Sequence, residues 1–237
     1  MHPFTVPQSL TDRVTARSGR AHPFDRIEAA RTALVVVDMQ NYFVAPGYQG
    51  EVAMARHVVP AINTMAAALR ARGGHVMWIK NSTNDTRQSW STLHEHLFTP
   101  ERRDRRYATM DEAHEGHALW PELLVAPGDV QMVKKRFSAF IQGSSGIEAH
   151  LRARGIDTIL VAGTATNVCC ESTARDAMML NFKTIMVSDA LATFSDAEHY
   201  AALAGFYAIF GDVQTVAEAT ASLDRGATLA TLAAAAE

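Results

Sequence analysis

Apolar, β-branched runs recur along the chain, separated by stretches of helical spacing. "TALVVVD" (32–38) is continuously apolar and ends on an acid, which predicts a strand buried on both faces. In "VVPAINTMAAALRARGG" (58–74), Ile62, Met65, Ala66 and Leu69 fall at helical spacing, and Gly73-Gly74 marks the stop. "HVMWIKN" (75–81) predicts a second strand, "DVQMVKK" (129–135) a third and "DTILVAG" (157–163) a fourth. "KTIMVSDA" (183–190) predicts a fifth and "DVQTV" (212–216) a short sixth. Helices are predicted over "SGIEAHLRARG" (145–155), "CCESTARDAMMLN" (169–181) and "SDAEHYAALAGFYAIF" (195–210), the last with Ser195 as N-cap. Alternation of this kind means βαβ units. The expected class is α/β, a mostly parallel six-stranded sheet with helices on both faces.

Three segments stand outside that alternation. The first ~30 residues are polar and broken by Pro3, Pro7 and Pro23, and are expected to form an arm on the body or on a neighbouring subunit. Residues 82–126 form a long irregular stretch of the kind that serves as lid, binding segment or partner contact. The Ala-rich end is expected as a frayed helix or a disordered tail. The expected organisation is an arm over 1–30, one domain over 31–220 and a tail over 221–237.

Composition narrows the class. The 237 residues are 48% hydrophobic and 20% charged, as in an ordinary soluble globular protein. A formal charge of −3 offers no electrostatic reason for a nucleic acid or an anionic membrane as partner. "ERRDRR" (101–106) is locally basic, but acidic "DEAHE" (111–115) follows, and a solvated, self-compensating loop is expected. No apolar run approaches the ~20 residues of a membrane span, and the N-terminus has no apolar signal-peptide core. Two cysteines make no disulfide framework, so a reducing, cytoplasmic setting is expected.

In parallel sheets, ligands bind beyond the carboxyl ends of the strands. Asp38 closes the first predicted strand, Lys80 and Asn81 the second, and Lys134 and Lys135 the third, while the fourth runs into the turn before Cys169. An acid, a lysine and a thiol at one rim are the inventory of a cysteine hydrolase that uses no histidine. A helix start and a nearby ammonium favour the thiolate. A carboxylate can take the thiol proton and return it to a leaving amine, and N–H groups of the 164–169 turn can hold the oxyanion. Adjacent Cys169 and Cys170 rarely bridge each other. Cys170, Ala174 and Ala177 share one helical stripe, which assigns Cys170 to packing and Cys169 to chemistry.

"VVVDMQNYF" (35–43), "KKRFSAF" (134–140) and "GTATNVCCESTARDA" (163–177) together resemble the isochorismatase-like cysteine hydrolases. The resemblance covers about 32 to 217 and is nearest the ureidoacrylate and carbamoyl-amide branch. It implies a Rossmann-like three-layer α/β/α sandwich, assembled as a homodimer or homotetramer. It implies Asp38 as general base, Lys134 rather than Lys135 as the triad lysine, and Cys169 as nucleophile. It also implies a cis peptide at Ala165–Thr166, with the N–H groups of Thr166 or its neighbours and of Cys169 aimed at the substrate oxygen. Phe43, Asn81, Trp90 and Phe137 are expected to line the pocket, with 82–126 as wall or lid. Arg87 and the "ERRDRR" run are the basic residues available to a substrate carboxylate, and none is singled out.

The departures from the family matter too. The cysteine argues against vinyl ether cleavage of the isochorismatase type. "NSTNDTRQS" (81–89) lacks the nicotinamidase metal pattern, and "HEH" (94–96) and "HEGH" (114–117) are not the H-E-x-x-H motif. No metal and no cofactor are expected, and those histidines are expected in solvated loops. The resulting expectation is an amidohydrolase of small amide or ureido/carbamoyl compounds. Its rivals are a vinyl ether hydrolase and a thiol redox or binding module using Cys169–Cys170.

Overall fold

The computed structural model describes residues 1–234. Six strands form one sheet: β1 (Thr32–Val37), β2 (His75–Asn81), β3 (Val130–Lys134), β4 (Thr158–Thr164), β5 (Lys183–Ala192) and β6 (Asp212–Gln214). Their order is β3-β2-β1-β4-β5-β6, and every pairing is parallel. Every residue of β1 and β4 is buried, as continuous apolar runs require.

Side chains two apart on a strand share a face. Leu34 and Val36 therefore enter one core, with α2 (Asn41–Val44), α3 (Ala55–Arg70) and α9 (Val216–Ala234). Ala33, Val35 and Val37 enter the other, with α1 (Gln8–Ser18), α6 (Ile147–Arg152), α7 (Glu171–Met179) and α8 (Asp196–Ile209). The result is the three-layer α/β/α sandwich. Ser195 caps α8 as expected, its hydroxyl accepting from Glu198 N–H at 3.3 Å.

The segments outside the alternation are more ordered than expected. The N-terminal arm contains α1, whose Val14 is fully buried, and it lies on its own chain. His2 Nδ1 is 2.6 Å from Asp196, and Tyr207 donates to Ala21 O at 2.5 Å. Residues 82–126 hold α4 (Thr86–Ser89), a wide turn at Thr92–His96, α5 (Pro100–Thr109) and a 3-10 turn at Glu115–His117. The "ERRDRR" run is therefore helical rather than a solvated loop. Thr99 caps α5 and Pro100 opens it. Arg103 bridges Glu95 and Asp104, and Arg106 turns inward. At the other end α9 continues unbroken across the expected boundary at 220, with Leu223 buried. The expected disordered end at 235–237 lies outside the described residues.

The chain leaves β1 towards β2 and β3 on one side, and continues through β4, β5 and β6 on the other. The crevice at the carboxyl ends of β1 and β4 is thus the switch point where such sheets bind ligands.

Candidate active site

Asp38 follows β1 directly. Its N–H donates to Ile79 O at 2.8 Å, so it remains tied to the sheet while its φ of 55° turns the chain out of the strand. Asp tolerates this left-handed region better than most residues. Lys134 ends β3, two strands away, in register with Asn81 at the end of β2. Its Nζ lies 2.8 Å from Asp38 Oδ2, with both side chains fully buried. The same ammonium donates to Arg136 O at 3.0 Å. The groups in reach of the Asp38 carboxylate are the Lys134 ammonium and the Cys169 thiol.

Cys169 comes from the turn after β4. Thr166–Cys170 is wound as a wide π-type turn, and Cys170 N–H reaches back to Ala165 O at 3.2 Å. Cys169 therefore sits in this turn, ahead of the first α-helical turn. The cis peptide is Thr164–Ala165, one bond earlier than the expected Ala165–Thr166. The turn is pinned from outside by Thr166 Oγ1 against His199 Nδ1 at 3.0 Å and by Thr193 Oγ1 donating to Asn167 Oδ1 at 2.5 Å. Gly163 makes the approach to β1 possible. Its φ is +110°, and a Cβ there would stand 2.1 Å from Val37 O.

Both thiols are free. Cys170 is fully buried and packs with Ala174 and Ala177, whereas Cys169 retains 4% exposure. Cys169 lies within hydrogen-bonding reach of both Asp38 and Lys134. Burial raises the Asp38 carboxyl above its ordinary value, against the pull of Lys134. Burial also opposes the Lys134 charge, but Asp38 and Cys169 outweigh it and hold the ammonium. Burial, with the neighbouring Asp38, pushes the Cys169 thiol up to about 12. The low-pKa thiolate expected from the helix start and the ammonium is therefore absent, because desolvation outweighs both. A neutral thiol beside a buried carboxylate can still react if its proton passes to that carboxylate as the sulfur attacks.

Cys169 opens onto a cavity of about 250 Å³. Its apolar walls are Tyr42, Phe43, Phe98, Phe137, Val168 and Phe194, and Arg106 also lines it. Of the four residues expected to line the pocket, Phe43 and Phe137 do so. Asn81 is buried beneath, its amide donating to Arg136 O at 3.4 Å. Trp90 stacks edge-on against the outer side of Phe137, with ring centroids 4.8 Å apart, and faces a neighbouring surface pocket. Tyr42, beside Phe43 in the first motif, was within reach of sequence reasoning. Phe98, Arg106 and Phe194 were not, because they come from elements far apart in the chain.

The histidines of "HEH" and "HEGH" are not all solvated. His94 and His117 are buried, at 1% and 4% exposure. His94 pairs with Thr86 Oγ1 at 3.2 Å and lies against Tyr107, with the rings tilted by 35°. Among the described residues, no three His, Cys, Asp or Glu side chains converge to hold a metal ion.

An Isochorismatase domain model matches residues 32–218. The chain belongs to the isochorismatase family and is a hydrolase of that family. It is 31% identical to the uncharacterized isochorismatase family protein YwoC of Bacillus subtilis over 193 residues, covering 81% of this chain and 94% of that one. It is likewise 31% identical to the ureidoacrylate amidohydrolase RutB of Stutzerimonas stutzeri over 224 residues, covering 88% of each. Among solved structures, a cysteine hydrolase from Pseudomonas syringae pv. phaseolicola superposes with a TM-score of 0.72 at 28% identity, covering 84% of this chain and 95% of that one.

Proposed function

We propose that the protein hydrolyses a C–N bond of a small amide or ureido/carbamoyl compound through a Cys169 thioester. The observation that carries this reading is the fully buried Asp38–Lys134 pair at 2.8 Å beside the one thiol that opens onto a cavity. The similarity to a ureidoacrylate amidohydrolase and to a cysteine hydrolase supports it.

In the first half-reaction the Cys169 proton passes to Asp38 as Sγ bonds to the substrate carbonyl carbon, and the C=O π pair moves onto oxygen. The oxyanion is met by turn N–H groups. Those of Val168 and Cys170 are already taken by Ala165 O, which favours Thr166 and Cys169 as the donors. Collapse of the intermediate breaks the C–N bond, and the leaving nitrogen takes the proton from Asp38. In the second half, Asp38 accepts a proton from water as the hydroxyl attacks the thioester. The C–S bond breaks, the acid leaves and the proton returns to sulfur. Lys134 keeps the Asp38 carboxylate oriented and offsets its charge throughout.

The redox rival is weakened by the thiols themselves. Oxidation sensors are exposed and of low pKa, whereas Cys169 is buried and pushed up to about 12. Assembly as a dimer or tetramer and residence in the cytoplasm belong to the same reading, and light scattering checks the first. The test of the chemistry is ammonia release from a panel of small amides and ureido acids. Wild-type release that disappears in Cys169→Ala and falls by about 10²–10⁴ in Asp38→Asn is expected. Full turnover by either variant would sink the mechanism.

A further inference from the structure

We infer that Arg106 is an anion anchor, and that the substrate is an amide or ureido compound bearing a carboxylate. The inference rests on the amidohydrolase reading for the word amide, but on the geometry of the cavity for the word carboxylate.

Arg106 is 6% exposed and lines the same cavity as Cys169. Buried guanidinium groups are normally paired, since an unpaired charge out of water is strongly unfavourable. Among the described residues no carboxylate forms an ion pair with Arg106. Its Nη1 makes one long hydrogen bond, 3.4 Å, to the Tyr42 hydroxyl, and its Nε has no partner. Two rings also lie near it, with the guanidinium carbon 5.5 Å from the Tyr42 centroid and 5.8 Å from that of Phe98.

The charges of the whole site point the same way. Lys134 and Arg106 are two cations facing the single carboxylate of Asp38, and Lys134 already occupies it at 2.8 Å. One positive charge is left over inside an apolar cavity. A bound carboxylate would neutralise it, fill the Nε donor and exploit the forked geometry that suits arginine to such groups. The cavity volume of about 250 Å³ is below the roughly 300–1,000 Å³ of pockets for drug-sized ligands, which suits one small molecule carrying both the anion and the scissile carbonyl. Its spacer lies between aromatic walls. Arg102, exposed at the same cavity, adds a second positive charge that favours approach of an anion.

The test needs no knowledge of the substrate. Cys169 is modified with three methanethiosulfonates of similar size: 2-carboxyethyl (anionic), ethyl (neutral) and 2-aminoethyl (cationic). Rates are located to Cys169 by peptide fragmentation and referred to the same chain unfolded in urea, which removes intrinsic reagent differences. The expected anionic-to-neutral ratio in the folded protein exceeds the unfolded reference by about ten- to a hundredfold, the range of a charge-assisted hydrogen bond. Arg106→Gln returns the ratio to the reference, and Arg106→Lys keeps part of the preference. A purely structural role for Arg106 would leave the ratio unmoved. A wild-type ratio at or below the unfolded reference overturns the inference even if no variant folds, as does a ratio unchanged in a folded Arg106→Gln. An anionic preference without hydrolysis of any amide would leave the anchor standing and remove the amidohydrolase reading. Ammonia release without anionic preference would do the reverse.

Discussion

Asp38 carries the most conflicting demands of any residue in the chain. It sits at a φ of 55°, fully buried, and its carboxyl is raised by that burial while Lys134 pulls it down. Its raised value has a kinetic consequence. In the proposed mechanism Asp38 accepts the Cys169 proton only when ionised, so kcat/KM is expected to fall as pH drops through a value above the ordinary 3.8. A pH profile checks this, and an acid limb at or below 3.8 would contradict it. Because Cys169 stays a thiol until about 12, no ultraviolet thiolate band is expected at neutral pH. The neighbouring Cys170 touches only core, so Cys170→Val is expected to keep kcat/KM within a few fold and to change stability by less than about 1.5 kcal/mol. A collapse of turnover in a folded Cys170→Val would revive the paired-thiol reading. That Cys170 packs in the core while Cys169 lies off that stripe was legible in the sequence, because helical spacing separates the two. Arg106 was not legible, since nothing in "ERRDRR" marks which arginine turns inward.

Among the elements, the end of β4 and the turn after it decide where Cys169 stands. Gly163 lies opposite Val37 in the sheet register, and the β4–β5 pairing shifts between Val161 and Gly163. A side chain there would enter the β1 backbone, 2.1 Å from Val37 O, at a φ of +110° that L residues rarely adopt. Gly163→Ala is expected to destabilise by about 2–6 kcal/mol, the range of backbone strain combined with overpacking. Denaturant melts measure it, and a loss under about 1 kcal/mol would mean that the close approach is not required. The strands were readable because buried parallel strands are apolar runs, and β2 matches its predicted bounds residue for residue. Helix α5 escaped notice because it is polar nearly all round. Its start signals, Thr99 followed by Pro100, were present in the sequence. Their meaning was masked by the charge run behind them.

For the whole molecule, two buried aspartates act on stability in opposite directions. Asp129 ties α3 to the turn before β3: Arg70 reaches it twice, at 2.8 and 2.5 Å, and Trp78 Nε1 donates at 2.7 Å. Burial alone would raise its carboxyl, but these donors and Ala126 N–H hold it below 3.8. A depressed folded value stabilises the protein above 3.8, and that stability is lost as pH falls through the folded value. Asp38 has a raised value, so its contribution declines as pH rises from 3.8 through that value. Asp129→Asn is therefore expected to lower stability at neutral pH and to flatten its fall below pH 3.8. Urea melts across the acid range check both the level and the slope. An unchanged acid slope would show that the Arg70–Asp129 link contributes nothing measurable.

The sequence by itself determined the α/β class, the six strands, the family resemblance and the set of Asp38, Lys134 and Cys169 as residues to watch. Each of these is written locally, in a period of two or 3.6 residues or in a short motif at a strand end. Only the tertiary structure decided that burial raises the Cys169 thiol, that the cis bond is Thr164–Ala165, that Asn81 and Trp90 stand off the cavity, and that Arg106 enters it without a carboxylate partner. Those properties depend on which atoms surround a group once distant segments have packed, and desolvation has no signature in the order of residues along the chain.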